Sequence, residues 1–220
     1  MGRSDHPTAR PFLPDDTDLD TLAEAAEGCQ GCPLYKDATQ VVFGEGPADA
    51  DMMLVGEQPG NQEDSQGRPF VGPAGQTLDK ALQTAGMDRA NLYITNAVKH
   101  HKSKQNNGRT NGNRPRIAEV LACQPWLEME LAEVQPRLVV ALGAVAARSL
   151  SGQRLAIGEA RGEWFETFDG RNLMVTYHPS AALQAPAKID REQIFETLID
   201  DLMRAQDSLT GMGPTTRPRA

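Results

Sequence analysis

The sequence predicts an α/β fold: a three-layer α/β/α sandwich around a central four-stranded parallel sheet. Four short apolar runs, 52–55, 92–95, 138–142 and 173–177, have the length and the β-branched or aromatic content of buried strands. Helical patterns lie between them, and strands alternating with helices form parallel sheets covered on both faces. A chain of 220 residues can bury the core that such a sheet needs.

In chain order, residues 1–18 read as a polar tail, and a helical stretch over 19–27 opens the domain. The first strand runs into Gly56-Glu57-Gln58-Pro59-Gly60, the start of a glycine-punctuated loop that reaches Gly75. A strand-to-helix joint needs only a handful of residues, so this loop is expected to hold something. Helical patterns follow over 74–85, 116–134 and 144–150, and a last one over 191–206 closes the domain. Residues 207–220, rich in Gly, Pro, Thr and Arg, read as a disordered tail.

No apolar run approaches a membrane span, and the polar, acidic N-terminus is unlike a signal peptide. A soluble, cytoplasmic, monomeric protein with no membrane partner is expected. The formal net charge of -8 argues mildly against a nucleic-acid partner. Charge placement argues the other way. Between residues 99 and 116 the chain carries Lys99, Lys102, Lys104, Arg109, Arg114 and Arg116 and no acid, which marks either a phosphate-facing surface or a solvated loop.

The other strands end in Asn96, in Gly143 and in His178-Pro179-Ser180. Ligands of open parallel sheets bind outside the carboxyl ends of the strands. Glu57, Gln58, Asn96 and His178 are therefore expected to converge in one crevice, although each alone also reads as an ordinary cap or turn residue.

Cys29 and Cys32 form a C-x-x-C pair, and Cys123 stands far from them. The pair follows a helical stretch rather than a strand, which suits a metal or iron–sulfur site better than a redox motif or a disulfide framework. Three thiolates leave such a site one ligand short. The histidines available are His6, His100, His101 and His178.

The ordered motifs G-E-x-P-G, G-x-P-F-V-G-x-A-G, Y-I-T-N and H-P-S resemble the uracil-DNA glycosylase superfamily, and more narrowly its iron–sulfur family 4 and the UdgX branch. The match is colinear from about Cys29 to Leu202. It implies a [4Fe-4S] cluster held by Cys29, Cys32, His100 and Cys123, with His101 as a rival ligand. It also implies a flipped uracil stacked on Phe70 and read by the Asn96 amide. Backbone N–H groups between Gly56 and Gly60 would grip uracil O2 and a nearby phosphate. His178 would stabilise the leaving uracil anion, with Pro179 and Ser180 shaping its loop and touching phosphate, and Glu57 would orient water. Lys102, Lys104, Arg109 and Arg114 would hold the DNA backbone.

Gln58 stands where family 4 usually has a small residue and resembles UdgX. UdgX, however, is marked by a basic loop whose His bonds covalently to the sugar, and residues 104–115 contain no His. The resemblance therefore implies hydrolytic removal of uracil from DNA in base excision repair. The alternative is a uracil-DNA binding protein of UdgX type, with tight or covalent capture and little turnover. A third reading, electron transfer, lacks any recognisable redox-partner site.

Overall fold

A computed structural model describes residues 7–103 and 114–211. Helix α1 spans Leu19–Glu27 and is capped by the Asp18 carboxylate, which accepts from the N–H groups of Asp20 and Thr21. Strand β1 is Met52–Gly56, and the short helix α2, Asn61–Gln66, lies inside the long loop. Next come α3 (Pro73–Thr84), β2 (Leu92–Asn96), α4 (Ile117–Val134), β3 (Leu138–Leu142) and α5 (Ala144–Ser151). The chain closes with α6 (Ile157–Ala160), β4 (Trp164–Glu166), β5 (Asn172–Thr176), α7 (Ala181–Gln184) and α8 (Lys188–Gly211).

The sheet order is β2-β1-β3-β5-β4, parallel except for β4. Four parallel strands were expected, and they are present. The fifth, antiparallel edge strand was missed because it is short and wet: Trp164 is 44% exposed, so no buried apolar run marks it. Alternation along each strand divides the core between two faces. Met52, Leu54, Leu138, Val140, Leu142 and Met174 pack beneath α3 and α8, against Leu78, Leu82, Leu198 and Leu202. Met53, Val55, Val139, Ala141, Leu173 and Val175 pack beneath α4 and α5, against Leu127, Leu131, Ala147 and Leu150. Each buried Leu, Val or Met stabilises the fold by about 1.5–3 kcal/mol, so three layers follow from the strand pattern alone.

Two expected boundaries move. Helix α8 starts at Lys188 and runs to Gly211, beyond the expected 191–206, because Leu209 still packs on the core. The expected polar tail over 1–18 is not all tail. Ala9 is buried, donates its N–H to Ala122 O at 2.7 Å and crosses Gly31, where a Cβ would lie 2.7 Å from its backbone.

Strand order reverses between β1, flanked by β2, and β3 on its other side. Such a switch point opens a crevice at the carboxyl ends of the strands. Gly56, Asn96, Gly143 and the turn after β5 all sit at that end.

Candidate active site

Gly56 and Asn96 are register partners at the last step of the β1–β2 ladder. A Cβ on Gly56 would lie 2.3 Å from Asn96 Oδ1 and 2.5 Å from Phe70 Cζ, so the absent side chain is what lets these two groups meet. Asn96 is buried, and its Oδ1 has no hydrogen-bond partner among the described residues. A buried carbonyl without a donor costs about 1–3 kcal/mol, which a ligand N–H would recover.

Phe70 is buried with φ at 54°, a left-handed conformation that costs a bulky residue about 1–3 kcal/mol. Gly75 permits it, since a Cβ there would lie 1.9 Å from Phe70 O. The Phe70 and His178 rings lie 5.9 Å apart, tilted by 33°. Gly143, with φ at 92°, lets His178 approach β3: a Cβ there would sit 3.0 Å from His178 Cβ. Desolvation pushes the His178 imidazole down to about 4, and the positive charge of Arg114 acts in the same direction. Ser180 Oγ lies 2.8 Å from His178 Nδ1, which also accepts the Ser180 backbone N–H at 3.1 Å. Glu57 is half-buried; desolvation raises its carboxyl above the usual range, opposed by the charge of Arg114. Gln58 follows it, also half-buried.

The loop from Gly56 to Gly60 is pinned differently from expectation. The Gly60 N–H is not available to grip a ligand, because it donates to Glu63 Oε2 at 3.1 Å. The other Glu63 oxygen accepts the Gly72 N–H at 2.8 Å, so one buried carboxylate ties both glycine turns together. Glu63 stands three residues after Gly60, the N-cap of α2, and its carboxylate reaches back to the N-cap N–H as the acidic half of a capping box does. On the other side, Ala97 N–H donates to Gly56 O at 2.9 Å and Val98 N–H to Glu57 O at 3.1 Å.

The basic stretch divides. Lys99 is only 1% exposed and faces inward, with its ammonium 2.5 Å from Glu130 Oε2, 2.8 Å from Asn96 O and 2.6 Å from Thr95 Oγ1. Glu130 also accepts from Tyr93, Thr95 and the Gly44 N–H. Lys102, expected on the DNA backbone, instead pairs with the buried carboxylate of Glu119 at 2.8 Å, so its charge is met within the protein. Arg114 is exposed and acts electrostatically on Glu57 and His178. Lys104 and Arg109 lie outside the described residues.

Cys29, Cys32 and Cys123 are buried free thiols in one apolar cluster with Leu22, Ala26, Phe43 and Trp126. The Trp126 indole N–H donates to Cys29 Sγ at 3.2 Å, and the Lys99 N–H donates to Cys123 Sγ at 3.3 Å. Burial pushes the Cys123 thiol up to about 12 and also raises Cys32. Among the described residues, no three His, Cys, Asp or Glu side chains converge as the ligands of one metal ion. Soft sulfur ligands in a dry shell with N–H donors to sulfur nevertheless suit an iron–sulfur cluster by chemistry, binding of which would draw off the thiol protons. His100, four residues past the end of β2, is buried, and desolvation lowers its imidazole against the opposing charge of Asp64, favouring the neutral form. His101, the rival, is engaged elsewhere: its Nδ1 lies 2.7 Å from Pro59 O in the loop after β1.

A flat apolar ring, a buried amide and an imidazole gathered at the carboxyl ends of the strands, with the Glu57 carboxylate one residue past β1, suit a planar heterocycle bearing carbonyl and N–H groups. Residues 43–203 match the family model described as the Uracil DNA glycosylase superfamily. The chain is similar to the Type-4 uracil-DNA glycosylase of Pyrobaculum aerophilum, 40% identical over 180 residues, covering 77% of this chain and 87% of the relative. The Type-4 enzyme of Thermotoga maritima is 35% identical over 181 residues, covering 82% and 91%. A Type-5 uracil-DNA glycosylase of Thermus thermophilus is 30% identical over 178 residues, covering 72% and 78%. With the family match spanning most of its length, the chain belongs to the uracil DNA glycosylase superfamily.

Proposed function

We propose that this protein is a DNA glycosylase that removes uracil from DNA by hydrolysing the N-glycosidic bond, a step of base excision repair. The observation that carries this reading is the buried Oδ1 of Asn96, without a partner among the described residues, against the edge of Phe70. A uracil extruded from the stack lies on the Phe70 ring and gives its N3–H to Asn96 Oδ1, while the Asn96 amide N–H donates to O4. Cytosine offers neither match.

The reaction needs a stabilised leaving group more than a strong nucleophile. As the bond to the sugar lengthens, negative charge develops on uracil O2, and the His178 imidazole donates a hydrogen bond to it. Glu57 orients a water for the anomeric carbon, and its half-buried carboxylate also opposes the sugar's developing positive charge. Gln58 borders the same water. Arg114, with Lys104 and Arg109, is proposed to meet phosphates, whereas Lys102 is spoken for by Glu119. Cys29, Cys32, Cys123 and His100 would hold a [4Fe-4S] cluster, which would cross-link the N-terminal segment, β2 and α4 without taking part in the chemistry.

Relatives of Type 4 and Type 5 support turnover, and no His occurs between residues 104 and 115 to trap the sugar. The test is incubation with an oligonucleotide carrying one uracil, followed by alkali. Free uracil in molar excess over enzyme and an alkali-labile site are expected. A denaturant-resistant protein–DNA adduct, or binding without cleavage, would overturn hydrolysis. Asn96→Asp should shift choice toward cytosine; unchanged base choice would remove Asn96 from its role.

A further inference from the structure

Phe70 owes its conformation to a residue outside the crevice. Arg89, in the turn that leads into β2, sends its guanidinium to the backbone of the phenylalanine: Nη2 donates to Pro69 O at 2.9 Å and Nη1 to Phe70 O at 3.3 Å. Nη1 also meets Asp79 Oδ1, on α3, at 2.7 Å. Two successive carbonyls and a carboxylate are thus held by one planar fork. A lysine cannot replace that arrangement, because an ammonium is a point charge without a fixed plane. The clamp acts where the chain is strained, since Phe70 has φ at 54° and leans on the glycine at position 75.

Left-handed backbone at a bulky residue persists only where its surroundings over-determine it. Gly75 makes the conformation sterically possible, but it exerts no pull toward it. Arg89 supplies the pull. We infer that Arg89, anchored by Asp79, is a positioning residue for excision, which sets the angle and depth of the Phe70 ring as the platform for the base. The inference rests on the proposed stacking role of Phe70. The reach of the clamp is specific: Arg89 touches the backbone on one side of Phe70, while the ring's far edge faces Gly56, Asn96 and His178.

Arg89 can be altered without opening the core. Its outer side borders a surface cavity of about 450 Å³ that is also lined by Asp79, Leu82, Gln83 and Met87. The test is a double-mutant cycle on the full-length protein, read as single-turnover excision from a single-stranded oligonucleotide with one uracil. Arg89→Ala should slow excision by roughly 10- to 100-fold, the order expected for a misplaced reacting group. Arg89→Lys should not restore the rate. In a Phe70→Ala background the Arg89→Ala change should have no further effect, because Arg89 acts only through that ring.

A merely structural arginine would slow both backgrounds equally, and that result would overturn the inference, as would an unchanged rate in Arg89→Ala. If Arg89→Ala does not fold, Asp79→Asn decides: it leaves the guanidinium in place but removes its charged anchor. A smaller loss confined to the Phe70 background supports the clamp, and no loss or an equal loss in both rejects it. Full activity in Phe70→Ala alone would instead dismiss the stacking role itself, a result distinct from failure of the clamp.

Discussion

The Ser180 backbone N–H donates to His178 Nδ1 at 3.1 Å, and this one bond decides where the imidazole proton resides. A backbone amide only donates, so Nδ1 is the acceptor and a neutral ring carries its hydrogen on Nε2. The ring is also kept neutral, since desolvation and the charge of Arg114 push it down to about 4. A neutral Nε2–H donor matches an oxygen that gains negative charge only as the bond breaks. An imidazolium would carry an extra desolvation cost in the resting state.

The pH profile should follow. Excision should stay flat through pH 6.5, where an ordinary histidine titrates, because His178 takes up its proton only near 4. The acid limb should belong to Glu57, whose carboxyl is raised by desolvation. The rate should fall as pH drops through that raised value, and Glu57→Gln should remove this limb while lowering the plateau. The stability sign is opposite to the activity sign. A raised folded-state pKa means that the folded protein prefers the protonated carboxyl, so stability is lost as pH rises past the ordinary value of 4.5. Glu57→Gln should therefore raise Tm at neutral pH. An unchanged or lower Tm there, or a surviving acid limb, would count against Glu57 as a strained catalytic carboxylate.

Lys99 and Glu130 form a buried pair, 1% and 0% exposed, and the ammonium reaches the Asn96 backbone carbonyl at 2.8 Å. Removing one partner of such a pair leaves an uncompensated charge and costs about 3–5 kcal/mol. Lys99→Met and Glu130→Leu should each lower the urea midpoint strongly, while the double substitution should cost much less than their sum. Because the ammonium also donates to Asn96 O, a folded Lys99 variant should lose excision rate as well. Additive losses in urea would show that the two residues do not depend on each other.

Why the sequence revealed the crevice but not its supports can be argued from individual residues. Asn96, His178, Phe70 and Glu57 stand at strand ends or in a loop too long to be a connector, and strand ends are readable from apolar runs. Lys99 was misread because it sits in an acid-free run, while its partner Glu130 arrives from the C-terminal part of α4, 31 positions later. Lys102 and Glu119 are separated in the same way. Arg89 left no signal, since a carbonyl acceptor has no side chain to betray it. β4 escaped because an exposed edge strand lacks the buried pattern used to find its neighbours.

The thiol cluster offers the last test. Cys29, Cys32 and Cys123 belong to one buried apolar cluster, and the Lys99 N–H donates to Cys123 Sγ, so the segment after β2 is tied to the thiols at one point and to the loop after β1 at others. If these thiols hold an iron–sulfur cluster, anaerobically purified protein should be brown, should contain iron and inorganic sulfide, and should lose visible absorbance in Cys123→Ala. The two neighbouring histidines should then separate cleanly. His100→Cys should keep the colour and His100→Ala should lose it readily, because a soft anionic ligand can replace imidazole and a methyl group cannot. His101→Ala should keep the colour but slow excision, since its Nδ1 lies 2.7 Å from Pro59 O and helps hold the loop that carries Glu57. Zinc in place of iron would refute the cluster. Bleaching in His101→Ala with full colour in His100→Ala would exchange the two roles.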